Sequence, residues 1–502
     1  MSQNNLNQQK GIVLLGFVIF IVMGVLAYYL NTLSVVEIKQ QQLEVTSKAL
    51  QQAKQALISY ALVYGDIDGD GDTIIDFPGE YGFLPCPDYN DNGVVPEGSE
   101  DQFLCGEQDE PKIGFFPWKS LGIPVLKDSS GTCLLYAVSG SYKNETDPDP
   151  KKTMMLNEDS NGMFQVVDQT GTIIQGADPE DRVVAIIIAP GKALDGQIRN
   201  NTAGTFCGRD YVNYNAYLDN AALDIGGVVD NSDVSVGAVT IDQFIHATAQ
   251  SIADTNPSPY NDRFVTITRE EIWSAIRLRS DFSPKMIDLT EALSLCLESY
   301  AATNTNNQLP WPSPIALADY RVNGNYDDHA DETQGYAGRF PFVINNSKGP
   351  TGNSGSDELF ANAGCNNITV PTSGAIVDLQ TPGSEYRRLW ENWKDHFFYA
   401  VSKDYAPDSI LAPATCGTCI KVDGIERSAM VIFSGTRQGN QTRNETIAAL
   451  DDDTKSDFSS YMENGNEGEF PDEDGDGEYF TNIANEFSYC LNHASPPSAV
   501  SC

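Results

Sequence analysis

The sequence predicts an α+β chain: one long N-terminal helix, then two tandem modules that each set a helix against an antiparallel sheet. Three observations predict it. An uncharged apolar run covers residues 12–36, longer than the ~20 residues a helix needs to cross a bilayer core. Beyond it an apolar stripe continues at helical period. Val36, Leu43, Leu50 and Leu57 carry it with Ala53 and Tyr60, while Gln40, Gln41, Gln42, Lys48, Gln51, Gln52 and Lys54 cover the other faces. Finally, the remainder repeats itself in order, which implies two copies of one module.

The first helix is expected over residues 12–64, half in membrane and half laid on a globular module, with Gly65 and the following aspartates ending it. Lys10 before the run, and Glu37 and Lys39 after it, bias the N-terminus slightly to the cytoplasmic side. The repeat then runs through the chain. Ser59-Tyr60-Ala61 is echoed by Ser299-Tyr300-Ala301, and Leu84-Pro85 with Asp88-Tyr89 by Leu309-Pro310 with Asp319-Tyr320. Gly114-Phe115-Phe116-Pro117 matches Gly338-Arg339-Phe340-Pro341, and Tyr136-Ala137-Val138-Ser139 matches Tyr399-Ala400-Val401-Ser402. Gln197, Arg199 and Asn200 match Gln441, Arg443 and Asn444, and Tyr217-Leu218-Asp219-Asn220 matches Tyr461-Met462-Glu463-Asn464.

The second copy has its own lead-in. Thr268-Arg269-Glu270-Glu271 is a capping box, Pro284 permits a restart, and Met286, Leu289, Leu293, Leu297 and Tyr300 carry the stripe onward. Strands are expected at 134–138, 183–188, 397–401 and 430–433. Residues 345–374, rich in Asn, Gly and Ser, read as a long surface loop of no assigned role. The expected organisation is a leader at 1–11, the helix at 12–64, a first module at 65–260, a helical lead-in at 261–303 and a second module at 304–502.

The chain has 502 residues, is 41% hydrophobic, and carries 70 acidic against 31 basic residues, a net charge of -39. Such a balance argues against nucleic acid and anionic membrane surfaces as partners and favours divalent cations. A solvated acidic surface accounts for most of the charge. The ten cysteines all lie beyond the apolar run. If that run anchors the chain with its N-terminus inside, they face an oxidising compartment and disulfides are expected.

Asp66, Asp68, Asp70, Asp72 and Asp76 alternate along a loop bent at Gly71, so their carboxylates can converge on one calcium ion. The bidentate acid that closes an EF-hand loop is absent. Asp472, Asp474, Asp476 and Glu478 repeat the pattern, and Asp88, Asn90 and Asn92 form a weaker version. The alternative for each is a polar loop with Asx turns. Calcium is the expected cofactor, and no organic one is expected. Cys86 and Cys105 flank the weaker loop and are expected to pair. Cys416 and Cys419 have redox-dithiol spacing but lack a βαβ context, which favours a structural disulfide. His246, His329, His396 and His493 stand alone, so no zinc site is expected. No nucleophile elbow, phosphate loop or dinucleotide motif occurs, and no enzymatic activity is expected.

The polar leader, Lys10, Gly11 and the apolar run occur in the order that begins type IV pilins and the pseudopilins of type II secretion, and the first ~60 residues resemble that family. The resemblance implies cleavage between Gly11 and Ile12 by a prepilin peptidase on the cytoplasmic side, with methylation of the new terminus. The pilin-like helix would be an inner-membrane anchor first, with the bulk of the chain periplasmic, and filament core later, packed on other pilin or pseudopilin subunits. Each globular module would then be pilin-like. Cys490 and Cys502 resemble the C-terminal disulfide loop of many pilins, and calcium loops are common among pseudopilins. The sequence departs from the family at the fifth mature residue, where glutamate is usual and Gly16 stands. The large tip subunit of the type II pseudopilus is similar in lacking that glutamate and in its bulk. The expected function is therefore a minor subunit that initiates a pilus or pseudopilus at its tip. An adhesin or ligand-binding pilin, and an anchored surface enzyme, are the alternatives.

Overall fold

The computed structural model describes the chain outside residues 1–4, 69–74, 90–95, 102–104, 107–109, 145–154, 200–204, 208–212, 235–240, 248–259, 346–356, 410–415, 439–440, 445–452, 464, 467–469, 471 and 482–485; the side chains of 5–14, 29–36, 305 and 357 also lie outside the description.

Helix α1 (Asn5–Val63) is one element, and a turn at Tyr64–Asp66 ends it. It starts earlier than the expected residue 12. Its C-terminal part lies on a sheet and buries Ala49, Leu50, Ala53, Leu57 and Ala61, the three-and-four spacing of a helical stripe. Leu43 is 41% exposed, so the stripe packs only beyond it. Nearer the N-terminus the large apolar residues are exposed without a break from Phe17 to Met23, on every side of the helix. Among the described residues no helix is long and apolar enough to cross a membrane. The span expected over 12–36 is therefore not shown, and part of it falls on side chains outside the description.

The first sheet runs Lys112–Phe115, Leu135–Val138, Val183–Ala189, Phe164–Asp168, Ile173–Gln175. Arg263–Thr268 pairs antiparallel with Val183–Ala189, and Asp242–His246 pairs parallel with Phe164–Asp168, a departure from the purely antiparallel sheet expected. The second sheet runs Ala337–Arg339, Phe397–Val401, Ala429–Phe433, Phe487–Leu491, Ala499–Ser501 and is antiparallel throughout. The central strands read as unbroken apolar runs because both faces are covered. Tyr136, Val138, Ala185 and Ile187 face α1, whereas Leu135, Ala137, Ile186 and Ile188 face Tyr217 and Leu218. In the second sheet Tyr399, Val401, Val431 and Phe433 lie in the core that contains α3 (Phe282–Thr303), and Phe398, Ala400, Met430 and Ile432 pack with Tyr461 and Met462.

The lead-in is two helices. The capping box of Thr268 and Glu271 opens α2 (Arg269–Arg277), and α3 carries Pro284 in its first turn, where a missing N–H costs nothing. A short helix that the sequence reading does not include, α4 (Glu385–Trp393), buries Tyr386, Leu389, Trp390 and Trp393. The rings of Trp273 on α2 and Trp393 meet edge-on at 5.4 Å, and Phe282 lies 5.4 Å from Trp393. Through these contacts the two sheets and their helices share one continuous core.

The repeat has geometric counterparts. Asp88 and Phe115 exchange backbone hydrogen bonds of 3.0 and 2.8 Å, as Ser313 and Arg339 do at 2.9 and 2.8 Å. A Cβ on Gly114 would lie 2.8 Å from the Asp88 carbonyl, and one on Gly338 would lie 2.2 Å from that of Ser313, so both crossings require glycine. The position of Asp88 is therefore filled by Ser313, which corrects the match with Asp319. Arg199 donates to the carbonyls of Ala216 and Gly191 and to Gln197 beneath the Tyr217 ring. Arg443 does the same to Ser460, Gly435 and Gln441 beneath Tyr461.

Residues 345–374 are not wholly a surface loop. Leu359, Phe360, Cys365 and Val370 are buried, and Phe360 packs edge-on against Trp390 at 4.9 Å. With Ile368, the polar majority of that stretch hides five core positions among the described residues.

Candidate functional site

All ten cysteines are paired. The bonds are Cys86–Cys105, Cys133–Cys207, Cys296–Cys365, Cys416–Cys419 and Cys490–Cys502. With both of its thiols in a disulfide, the cluster of Asp404, Cys416 and Cys419 offers no thiolate to a metal. Asp404 instead accepts from the backbone N–H groups of Gly417 and Thr418 and shapes the turn between the cysteines.

The three acidic loops differ. In the first, Asp66 is engaged with Arg279 at 2.7 Å, and Arg279 also holds Asp281 and the Leu62 carbonyl. Asp70 and Asp72 lie outside the described residues, so the convergence expected with Asp68 and Asp76 is not shown. In the third, Asp88 is buried and accepts from the Gly98 N–H at 2.6 Å, while Asn90 and Asn92 lie outside the description. The second loop brings carboxylate oxygens of Asp472, Asp474 and Asp476 within 4.8 Å of one another. Asp472 is the organising residue. Its Oδ1 accepts from the N–H groups of Asp474 and Gly475, its Oδ2 from Gly477, and its own carbonyl from Tyr336. Burial raises its pKa against those hydrogen bonds, so a cation here would relieve a desolvated carboxylate. Gly475 has φ +76° with Lys403 packed against it, so the turn requires glycine. Glu478 is outside the cluster, at the start of a strand. Gly11 and Ile12 lie in α1, with side chains outside the description.

A constellation that the sequence reading missed lies where the two halves meet. His396 is fully buried, with Nδ1 2.9 Å from Asp395 Oδ1 and Nε2 3.1 Å from Asp159 Oδ2. Lys455 Nζ is 2.6 Å from Asp395 Oδ2. Arg443 Nη1 lies 3.6 Å from Glu158 and 3.9 Å from Asp159. Asn157 donates to Asp395 and to the Asn392 carbonyl, the Leu156 N–H donates to Asn392 Oδ1, and Asn161 donates to Asn444. Burial alone would raise Asp159, but His396, Arg443 and Lys455 hold it down at about 2. Burial alone would lower His396, but Asp395 and Asp159 together raise it. An acid–imidazole pair of this kind serves general-base catalysis only where a substrate can reach it, and every side chain of the triad Asp159–His396–Asp395 is inaccessible. Its chemistry is structural.

Comparisons with protein-family models, with curated proteins and with solved structures find no match for this chain.

Proposed function

We propose that this chain is a pilin-like minor subunit that starts or caps a filament of the type IV pilus or type II secretion kind. The observation that carries the reading is the apolar part of α1, exposed on all sides over the described residues from Phe17 to Met23. Monomeric proteins rarely leave a continuous apolar surface of that extent uncovered, and one that is apolar all round calls for lipid or for other helices. The proposal gives it both in turn: the inner membrane as an anchor before assembly, and neighbouring pilin-type helices afterwards. A prepilin peptidase would cut between Gly11 and Ile12. A helix laid on a sheet, twice over, and five disulfides suited to an oxidising compartment support it further.

The tip position rests on Gly16, which has nothing within 4 Å of where a Cβ would stand. In the family the glutamate at this place is held to pair with the N-terminal amine of a neighbour. A charge near the bilayer centre costs ~2.5–3.5 kcal/mol on insertion scales, so such an amine needs a carboxylate partner. A chain with Gly16 can receive a partner's carboxylate but offers none. Immunogold labelling of sheared filaments tests this role: label is expected at one end, and label along the shaft overturns it. Calcium at Asp472, Asp474 and Asp476 belongs to the proposal, and titrating calcium against the melting temperature checks that assignment.

A further inference from the structure

The buried histidine at the meeting of the two halves has a role that neither filament assembly nor calcium explains. We propose that His396 is a proton-operated latch: as an imidazolium it ties the loop around Asp159 in the first half to the second half, and its deprotonation loosens the joint.

The carboxylates around the ring favour the charged form. Each ring nitrogen faces a carboxylate oxygen, Asp395 at 2.9 Å and Asp159 at 3.1 Å. A neutral imidazole has one N–H and one lone pair. Loss of the proton would leave the Asp159 carboxylate without its nearest cation in a site that no water reaches. Nδ1 shares Asp395 Oδ1 with the amide of Asn157, whereas neither oxygen of Asp159 nor His396 Nε2 completes a hydrogen bond, so the Asp159 contact is an ion pair at 3.1 Å and depends on the charge of the ring. The joint therefore has no spare donor to replace the missing proton.

The surrounding charges point to a proton rather than a metal ion, although Glu158, Asp159 and His396 bring possible ligand atoms within 4.8 Å of one another. The anions facing the ring are Asp159, Asp395 and Glu158. The cations are Lys455 on Asp395 and Arg443 between Glu158 and Asp159. Arg277 binds the far side of Glu158 and shares itself with Glu270, and Arg437 leans on Glu180. The rings of Trp393, Phe433 and Tyr461 close the remaining sides and carry no charge near neutral pH. The buried Arg339, which reaches the Asp395 carbonyl, is a further cation beside the joint, so a divalent ion would overcharge it more than a proton does.

The consequence is directional. A histidine raised in the folded state contributes stability that is complete below its unfolded value of ~6.5 and is lost as pH rises through the folded value. The joint should hold in mildly acid and neutral solution and loosen on the alkaline side. The remaining ties, Leu156 to Asn392 and Asn161 to Asn444, do not titrate there, so loosening need not become dissociation.

The test uses full-length protein labelled with ¹⁵N-histidine, in which only four imidazoles report. At pH 7 one of them, the signal missing from His396→Gln, should have both nitrogens protonated, with its titration raised above the usual imidazole value of ~6.5. Hydrogen exchange gives the second readout. After correction for intrinsic rates, protection of residues 156–161 should fall about tenfold relative to the strand Val183–Ala189 for each pH unit between ~6.5 and that titration, and should level off above it. In Asp159→Asn this pH dependence should vanish. A neutral His396 tautomer at pH 7, protection that does not change with pH, or one equivalent of a divalent metal whose removal by chelator unfastens the same segment would overturn the latch. The histidine spectrum stands on the wild-type chain, so the proposal remains testable if either variant fails to fold.

Discussion

Replacing Arg339 by Leu should destabilise the protein by about 5 kcal/mol, the largest effect expected of any single substitution outside the aromatic core. Arg339 is fully buried, yet no carboxylate forms a salt bridge with it among the described residues. Its guanidinium donates through Nε to the Ile315 carbonyl at 2.7 Å, through Nη2 to the Lys455 carbonyl at 2.6 Å, and through Nη1 to the carbonyl of Asp395. The rings of Tyr320, Phe398 and Tyr461 surround it at 4.8, 5.1 and 4.9 Å. A leucine leaves three carbonyls without partners, each worth ~1–3 kcal/mol, and removes three cation–π contacts. Lysine should rescue little, because a point charge cannot reach three diverging acceptors as the planar fork does. Urea denaturation checks this, with the midpoint falling and the slope unchanged. A loss below ~1 kcal/mol would mean that the cage is not formed as described.

The second large effect concerns a single disulfide. Changing Cys296 and Cys365 together to alanine should cost about 4 kcal/mol, whereas the same change at Cys490 and Cys502 should cost about 3 kcal/mol. The chain-entropy reason is loop length. The first bond joins residues 69 apart in sequence and the second residues 12 apart. The first also pins the turn that carries Leu359 and Phe360 to α3, and both of its sulfurs are buried in the shared core. Thermal melting of the two double variants, compared on one scale, gives the answer. A larger loss at Cys490–Cys502 would show that native packing rather than chain entropy governs these bonds.

Much of the architecture was legible because it is local. The stripe through Leu50, Ala53 and Leu57 is a helix period, the Thr268–Glu271 box is four residues, and the run Val183–Ala189 is a strand with both faces covered. The repeat was legible where a fixed backbone crossing demands glycine, at Gly114 and Gly338, or where an arginine must serve the same carbonyls, at Arg199 and Arg443. It was misread at Asp319, because the backbone pairing that defines the position is indifferent to the side chain and accepts Ser313 as well as Asp88. The shared core was illegible, since Trp273, Phe282 and Trp393 come from three segments with no common pattern. The buried joint was illegible for the same reason. His396 stands beside one of its partners, Asp395, but Asp159 lies more than 200 residues earlier, and no spacing rule links them. Of the acidic loops, the sequence showed the alternating carboxylates. It could not show that Asp66 turns to Arg279 while Asp472 gathers its own backbone N–H groups.

As a pilin-type helix, α1 would be released from its leader at Gly11 and kept for assembly. The mass and terminal sequence of the protein extracted from membranes test it most directly. The expected result is a chain that begins at Ile12, with a methylated amine. An intact N-terminus, or a cut beyond Leu30 that discards the apolar segment, would contradict it.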